Sequence, residues 1–307
     1  MNGGAMKFKA FLVSVFFVCS LLSGISLAQN KVVVIPLIET VKEPLTPFAP
    51  LAAESPPNSA YTDNGDGTVT DNVTGLVWQK TGDNATRTSY VAWDYCTDND
   101  EALPGTGWRL PSAGELMSIV YYSTYDSAIN DIAFPGTNPS YYWSATTRTS
   151  NSGSAWSVNF RNGEVYSYDR SDPLYVRCAR GFHNRQSLFK NNGNGTVTDL
   201  ATGLTWQRQV DNVGRANNGP ATAYCQGLGL AGGGWRLPTI KELRSIVDDR
   251  VYGPAIDTEA FPGTNGSGYW SATTNAYDSG NAWRVSFNHG HVYDGSKSAP
   301  QHVRCVR

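Results

Sequence analysis

The sequence is poor in charge and has few long apolar segments. Only 16% of its 307 residues are charged, whereas glycine (31), tyrosine (16) and tryptophan (9) are abundant. This composition is typical of turn-rich domains with aromatic cores and argues against a helical bundle. Beyond the N-terminal region no segment is long and apolar enough to span a bilayer, so we predict no transmembrane segment.

The longest apolar run, residues 10–22, is too short to form a stable membrane span. It follows two lysines and precedes a small-x-small sequence that ends at Ala28, which predicts a signal peptide cleaved near Ala28. A lipoprotein anchor at Cys19 is the alternative, but Val18 occupies a position where such anchors need a small residue. We therefore expect a protein that is secreted, periplasmic or at the cell surface.

Removal of residues 1–28 leaves 22 basic and 26 acidic residues, a net charge of −4. It also removes Cys19 and leaves four cysteines. An even number of cysteines in an exported chain predicts two disulfides.

The rest of the chain is an internal duplication with an offset of 127 to 129 residues. Seven motifs carry it: Gly-Thr-Val-Thr-Asp (from residues 67 and 195), Thr-Gly-Leu-x-Trp-Gln (74 and 202), Tyr-Cys (95 and 224), Gly-Trp-Arg-Leu-Pro (107 and 234), Phe-Pro-Gly-Thr-Asn (134 and 261), Tyr-Trp-Ser-Ala-Thr-Thr (142 and 269) and Val-Arg-Cys (176 and 303). We predict a proline-rich linker over 29–60 and two domains over 61–184 and 185–307.

Four cysteines permit three pairings, and the duplication favours one of them. Each repeat has one cysteine in its first third and one near its end. Autonomous units would pair Cys96 with Cys178 and Cys225 with Cys305. Each bridge closes a long loop and stabilises the fold by about 4 kcal/mol in the chain-entropy model.

Each repeat is predicted to be an α+β unit with an N-terminal hairpin, two helices and an antiparallel sheet. Capping boxes, at residues 112–115 and 239–242, mark the start of the second helix in each copy. In the first repeat we predict a hairpin (68–71 and 76–78), a first helix (89–96) and four strands (142–147, 155–160, 164–168 and 175–178). The first helix of the second repeat is predicted over 221–228.

Acidic residues shared by the two copies have structural explanations. Asp71 and Asp83 suit turns, and Glu115 caps a helix. No histidine is shared between the copies: His289 aligns with Asn162 and His291 with Glu164. His289 and His291 could chelate a metal together, but they lack an evident third ligand. We therefore predict no catalytic residue, no metal and no cofactor.

Shared arginines and tryptophans are predicted to be framework residues. They are Arg109, Arg236, Arg177 and Arg304, with Trp78, Trp108, Trp143, Trp156, Trp206, Trp235, Trp270 and Trp283. A ligand platform is expected instead among aromatics that differ between copies, such as Tyr125, Tyr168 and Tyr277.

These motifs, in this order, resemble the C-terminal domain family of the Legionella collagen-like adhesin. That family is similar in fold to C-type lectins and to the formylglycine-generating enzyme. The resemblance implies two tandem C-type-lectin-like domains, a disulfide from first helix to last strand, and binding of sulfated glycans at a cell surface. The chain departs from the adhesin in lacking a collagen-like stretch, and its first repeat is acidic.

An exported, non-enzymatic, adhesin-like protein that binds glycans or another polyanionic surface polymer is the resulting hypothesis, with no nucleic-acid partner. The alternatives are a structural or assembly protein of the envelope and an oxidase similar to the formylglycine-generating enzyme. The sugar-reading motifs of calcium lectins are absent, so binding is expected to be independent of calcium.

The predicted ligand-binding residues lie in the second repeat, where several positions that differ between copies are cationic. Binding of a polyanion there should weaken with salt and strengthen as histidines protonate near pH 6. The residues are Arg244, Arg284, His289, His291 and Lys297, together with the aromatic Tyr277.

Overall fold

The computed structural model describes residues 57–181, 189–217 and 219–307. The predicted signal peptide, most of the predicted linker and the predicted domain boundary lie outside the described residues.

The first repeat alternates short strands with two helices. Its elements are β1 (Tyr61–Asp63), β2 (Thr68–Asp71), β3 (Val77–Gln79), α1 (Ser89–Thr97), β4 (Trp108–Arg109), α2 (Ala113–Ser118), β5 (Tyr141–Thr147), β6 (Ser154–Asn159), β7 (Val165–Asp169) and β8 (Ala179–Arg180).

The second repeat follows the same order. Its elements are β9 (Phe189–Asn191), β10 (Thr196–Asp199), β11 (Thr205–Gln207), α3 (Pro220–Gln226), α4 (Ile240–Ser245), β12 (Gly268–Thr274), β13 (Asn281–Ser286) and β14 (His291–Ser296).

Helix α2 begins where its capping box predicts. The Ser112 hydroxyl accepts a hydrogen bond from the Glu115 amide (3.2 Å), and the Glu115 carboxylate accepts one from the Ser112 amide (2.7 Å). Arg109 adds two hydrogen bonds to the same carboxylate (2.6 and 2.8 Å). The equivalent box opens α4, so the prediction of both caps is confirmed.

The predicted final strand over 175–178 is wrong. Leu174 and Tyr175 form only isolated bridges, and the strand proper is β8. β8 lies between β3 and β4 in a five-stranded sheet of order β1-β2-β3-β8-β4. In the second repeat Val306 bridges Trp206 and Arg236 in the same way, beside the three-stranded sheet β11-β10-β9.

A single six-stranded sheet joins the two repeats, with the order β12-β13-β14-β7-β6-β5. The junction is an antiparallel contact of β14 with β7, in which Val292 faces Val165. These two valines occupy equivalent positions of the duplication. An antiparallel contact between equivalent residues relates the repeats by a local two-fold axis. We call this junction the seam.

The hydrophobic core also crosses the seam. One cluster of buried side chains includes Leu116 and Ile119 from the first repeat with Leu243 and Ile246 from the second. Smaller clusters surround Cys96 in the first repeat and Cys225 in the second. The repeats therefore form one compact unit rather than the autonomous domains that the pairing argument assumed.

The cysteine pairing is confirmed. Disulfides join Cys96 to Cys178 and Cys225 to Cys305, with Cα–Cα distances of 5.4 and 5.5 Å. Within the described residues, no helix has the length and apolar character needed to cross a membrane.

Candidate ligand-binding groove on the first repeat

Among the predicted ligand-binding residues, Arg244 is buried and paired with a carboxylate. It is 5% exposed, and one of its terminal nitrogens donates to both carboxylate oxygens of Asp249 (2.7 and 2.9 Å). Its charge is thus neutralised inside the protein, which leaves it little capacity to attract a polyanion.

Arg284 and Lys297 lie half-buried in different surroundings. The Arg284 guanidinium stacks on Tyr293, 4.4 Å from the ring centroid. The Lys297 ammonium donates to the Thr274 hydroxyl (2.8 Å). These cations are held by neutral groups, so their charge remains available to a ligand.

The two histidines of the β13–β14 hairpin lie against aromatic rings. His291 packs on Trp156 and Tyr166 of the first repeat, with ring centroids 4.7 and 5.0 Å apart. Burial, assisted by the charge of Arg148, lowers the pKa of His291 to about 4. Burial also lowers the pKa of His289. The low pKa of His291 corrects the expectation that this residue gains charge near pH 6. The second-repeat polyanion site remains a prediction, weakened by the loss of Arg244 and His291 as free cations.

The acids shared by the repeats stabilise the turns and helices in which they lie. Asp71 accepts hydrogen bonds from the Val73 amide (2.9 Å) and the Thr74 hydroxyl (2.7 Å). Asp83 pairs with Arg87, whose hydrogen bond lowers the pKa of that carboxyl. Among the described residues no group of three or more histidine, cysteine or acidic side chains is arranged to hold a metal.

A groove of about 310 Å³ lies between α1 and β5 in the first repeat. Its walls combine aromatic, aliphatic and hydroxyl-bearing side chains with one arginine, as small-molecule sites commonly do. The lining residues are Ser89, Tyr90, Trp93, Leu110, Ser144, Ala145, Thr147 and Arg170.

Helix α1 supplies the aromatic wall because its two faces differ. One face buries Ala92, Tyr95 and Cys96, and the disulfide at Cys96 ties it to the end of the repeat. The opposite face presents Tyr90, 65% exposed, and Trp93, 50% exposed. Large aromatic side chains left this exposed on a fixed helix commonly mark interaction sites.

Arg170 provides the charge in the groove. It donates hydrogen bonds to the Ser152 carbonyl (3.1 Å) and the Thr147 hydroxyl, both neutral acceptors. Its guanidinium also lies 5.3 Å from the centroid of the Tyr90 ring. The backbone carbonyl of Arg170 accepts from the Ser89 amide (2.9 Å), which anchors the start of α1 beside it.

The second repeat keeps the floor of this groove but lacks its aromatic wall. Gly219 and Thr222 stand where the first repeat has Tyr90 and Trp93. Lys297 replaces Arg170 and makes the equivalent hydrogen bond to Thr274. The duplication therefore supplies an internal comparison, in which a common framework carries an aromatic surface in only one copy.

Sequence reasoning missed this groove, although a signal was present. Eight of the nine tryptophans have counterparts in the other repeat, and all eight are at most 4% exposed. Trp93 is the ninth and has no counterpart. The rule that ligand platforms use aromatics that differ between copies would have selected it, together with Tyr90.

The fold and the groove define a class: an α+β protein of two fused repeats with an open, aromatic-walled surface site. The Lcl C-terminal domain family model matches residues 67–180 and 195–307, and the chain belongs to this family. A search of curated proteins gave no match.

Proposed function

We propose that the protein is an exported, non-enzymatic binding protein of adhesin type, which recognises glycans or another surface polymer through the first-repeat groove. Each repeat is assigned a C-type-lectin-like fold in this proposal. The observation that carries it is the groove, where Trp93 and Tyr90 are exposed on a rigid helix beside Arg170.

The chemistry of the groove suits a sugar. A pyranose ring has faces made of C–H groups, which pack on an aromatic ring, and a rim of hydroxyls, which need hydrogen-bond partners. Trp93 and Tyr90 supply the flat surface, and each combines an apolar body with a polar group. Arg170 supplies donors that suit hydroxyl or carboxylate oxygens.

Family membership and the two disulfides support the same proposal. The matched family takes its name from an adhesin, and two disulfides suit an oxidising compartment outside the cytoplasm. A non-enzymatic role is supported by the shared acids, which are engaged in turns and caps rather than directed into the groove.

A glycan array probed with the mature protein tests the proposal. We expect binding to a restricted set of glycans, and at least a tenfold loss of affinity in Trp93→Ala, since stacked aromatics contribute strongly at binding sites. Chelation of calcium should leave binding unchanged.

Thr222→Ala is the matched control, because Thr222 occupies the equivalent exposed position on α3. It should bind as the wild type does. Binding that survives both Trp93→Ala and Tyr90→Ala would refute the groove as the site. Absence of binding to any glycan would favour a structural role in the envelope instead.

A further inference from the structure

Two tyrosines from different repeats meet at the seam. The Tyr125 and Tyr277 rings have centroids 4.5 Å apart and planes inclined by 30°. The two tilted rings are therefore in direct contact, at a separation typical of aromatic pairs. Neither repeat alone contains the pair, so it exists only because the chain is duplicated.

Most of the Tyr277 ring remains open to solvent. Its side chain is 74% exposed although it contacts Tyr125. On the first-repeat side, Arg161 lies 5.2 Å from the Tyr125 ring centroid and donates to the Asp126 carboxylate (2.9 Å). The open surface at the seam is therefore aromatic, with a charge-balanced ion pair beside it.

The turn that carries Tyr277 is held by hydrogen bonds to the Asn275 side chain. The buried Asn275 side-chain oxygen accepts from the amides of Tyr277 (2.8 Å) and Asp278 (3.2 Å). The Asn275 amide group donates to Asp294 (2.9 Å), which also accepts from Asn281 (2.9 Å). Tyr277 is thus exposed on a rigid support, which lowers the entropy lost when a ligand binds.

The other side of the local two-fold axis is built differently. Tyr252 takes the place of Tyr125 there, and Ser150 takes that of Tyr277. Tyr252 is 57% exposed and has His289 as its ring neighbour, at 5.9 Å. The contact between repeats is made instead by the Thr149 hydroxyl, which donates to the Asp249 carbonyl. The tyrosine pair is therefore not a requirement of the seam.

We propose that the tyrosine pair is a second sugar-binding site. A pyranose ring packs on the exposed surface of Tyr277, and Tyr125 holds the Tyr277 side chain in position. The ligand class rests on the proposed function, but the site does not depend on the groove. The balanced Arg161–Asp126 pair favours a neutral sugar here, whereas the groove carries the net charge of Arg170.

The competing explanation is that the tyrosine pair is a clasp, meaning a contact that only stabilises the junction of the two repeats. A clasp stabilises by burying its rings, and Tyr277 leaves about three quarters of its surface exposed. The Tyr277→Ala variant should therefore unfold within a few degrees of the wild type. A large drop in unfolding temperature would show that the pair acts mainly as a clasp and would count against the proposal.

Fluorine NMR of the full chain labelled with fluorotyrosine reports separately on the tyrosine pair and on Tyr252, which serves as the internal control. The Tyr125, Tyr252 and Tyr277 resonances are assigned from the corresponding Tyr→Phe variants. The probes are the methyl pyranosides of glucose, galactose, mannose and glucuronic acid. We expect a saturable shift of the Tyr277 and Tyr125 resonances with at least one neutral sugar, and no shift of Tyr252.

The same titration in Trp93→Ala separates this proposal from the groove. Seam shifts should persist there, because the two sites share no residue. If no sugar moves the Tyr277 resonance, or if Tyr252 shifts as much as Tyr277, the seam site is refuted. Failure of the groove alone would appear as unchanged glycan binding in Trp93→Ala with the seam shifts intact.

Discussion

At the scale of single residues, the environment of His291 has an effect that reaches the whole protein. The imidazole contacts Trp156 and Tyr166. Burial lowers its pKa, and the nearby Arg148, His289 and Arg244 lower it further. An unfolded chain restores an ordinary histidine pKa near 6.5. Between about pH 6.5 and pH 4 the unfolded state therefore binds more protons than the folded state.

The protein should consequently lose stability as the pH falls through this range. Because solvent still reaches part of the ring, we expect a loss of about 2 kcal/mol attributable to His291, rather than the full linkage value. Urea unfolding at pH 7 and pH 4.5 measures it, and His291→Gln should show a clearly smaller difference. An unchanged difference in that variant would assign the pH dependence to other groups.

Residue-scale predictions succeeded where a residue type has few physical options. Arg177 is 1% exposed and donates to the carbonyls of Gln79 (2.6 Å) and Lys80 (2.7 Å), as expected for a framework arginine. The second-repeat polyanion site stays a prediction, because the sequence did not show that Arg244 has a carboxylate partner or that His291 packs on rings of the other repeat. Such partners depend on tertiary contacts that one sequence does not display.

At the scale of elements, α1 links the disulfide to the groove. Cys96 lies on its buried face and Trp93 on its exposed face, within one turn of each other. A change that loosens the buried face should therefore also misplace the aromatic wall.

Removal of the first disulfide should therefore impair both stability and binding. In Cys96→Ala with Cys178→Ala we expect a loss of about 4 kcal/mol, the entropy of an open loop of some 80 residues. Affinity for the glycan selected on the array should fall as well, measured at a temperature where the variant is folded. The pair Cys225→Ala with Cys305→Ala should cost similar stability and leave affinity near that of the wild type. Equal losses of affinity in both pairs would contradict the link through α1.

Elements with local signals were predictable. Capping boxes located α2 and α4, and the first helix was placed within one residue of α1. The last strand was misplaced because β8 has only two residues and is defined by pairing with β3 and β4, about 70 to 100 residues earlier. No local pattern encodes such a distant partner.

At the scale of the whole molecule, the shared sheet and core bear on how the protein unfolds. The largest hydrophobic cluster draws side chains from both repeats, including Leu116 and Leu243. We therefore expect the two repeats to unfold in one cooperative transition rather than two.

Leu116→Ala tests this cooperativity. The substitution should cost about 3 kcal/mol, and native-state hydrogen exchange should show slowly exchanging amides losing protection in both repeats. Tyr277→Phe, on the exposed surface, provides a control with little expected change. Loss of protection confined to the first repeat would instead indicate two independent folding units.

The duplication itself could be predicted from the sequence, but the seam could not. Repeat boundaries follow from the recurring motifs, whereas a strand edge that pairs with another repeat has the same alternation as one that faces solvent. Val165 and Val292 are fully buried in the joined sheet, but a valine is favoured in a strand whether or not that strand is at an edge. The tyrosine pair depends on that seam and was beyond prediction for the same reason, although both of its tyrosines had been selected individually.

The two-fold character of the seam limits how such a chain can grow. Solenoid repeats meet head to tail, so each added unit offers a fresh surface to the next. Here the equivalent strands of the two repeats, β7 and β14, pair with each other. Once two repeats are joined, neither has a free copy of this strand edge with which to bind a third. We expect longer proteins built on this contact to contain even numbers of repeats. A protein with a single repeat should dimerise through the same strand edge.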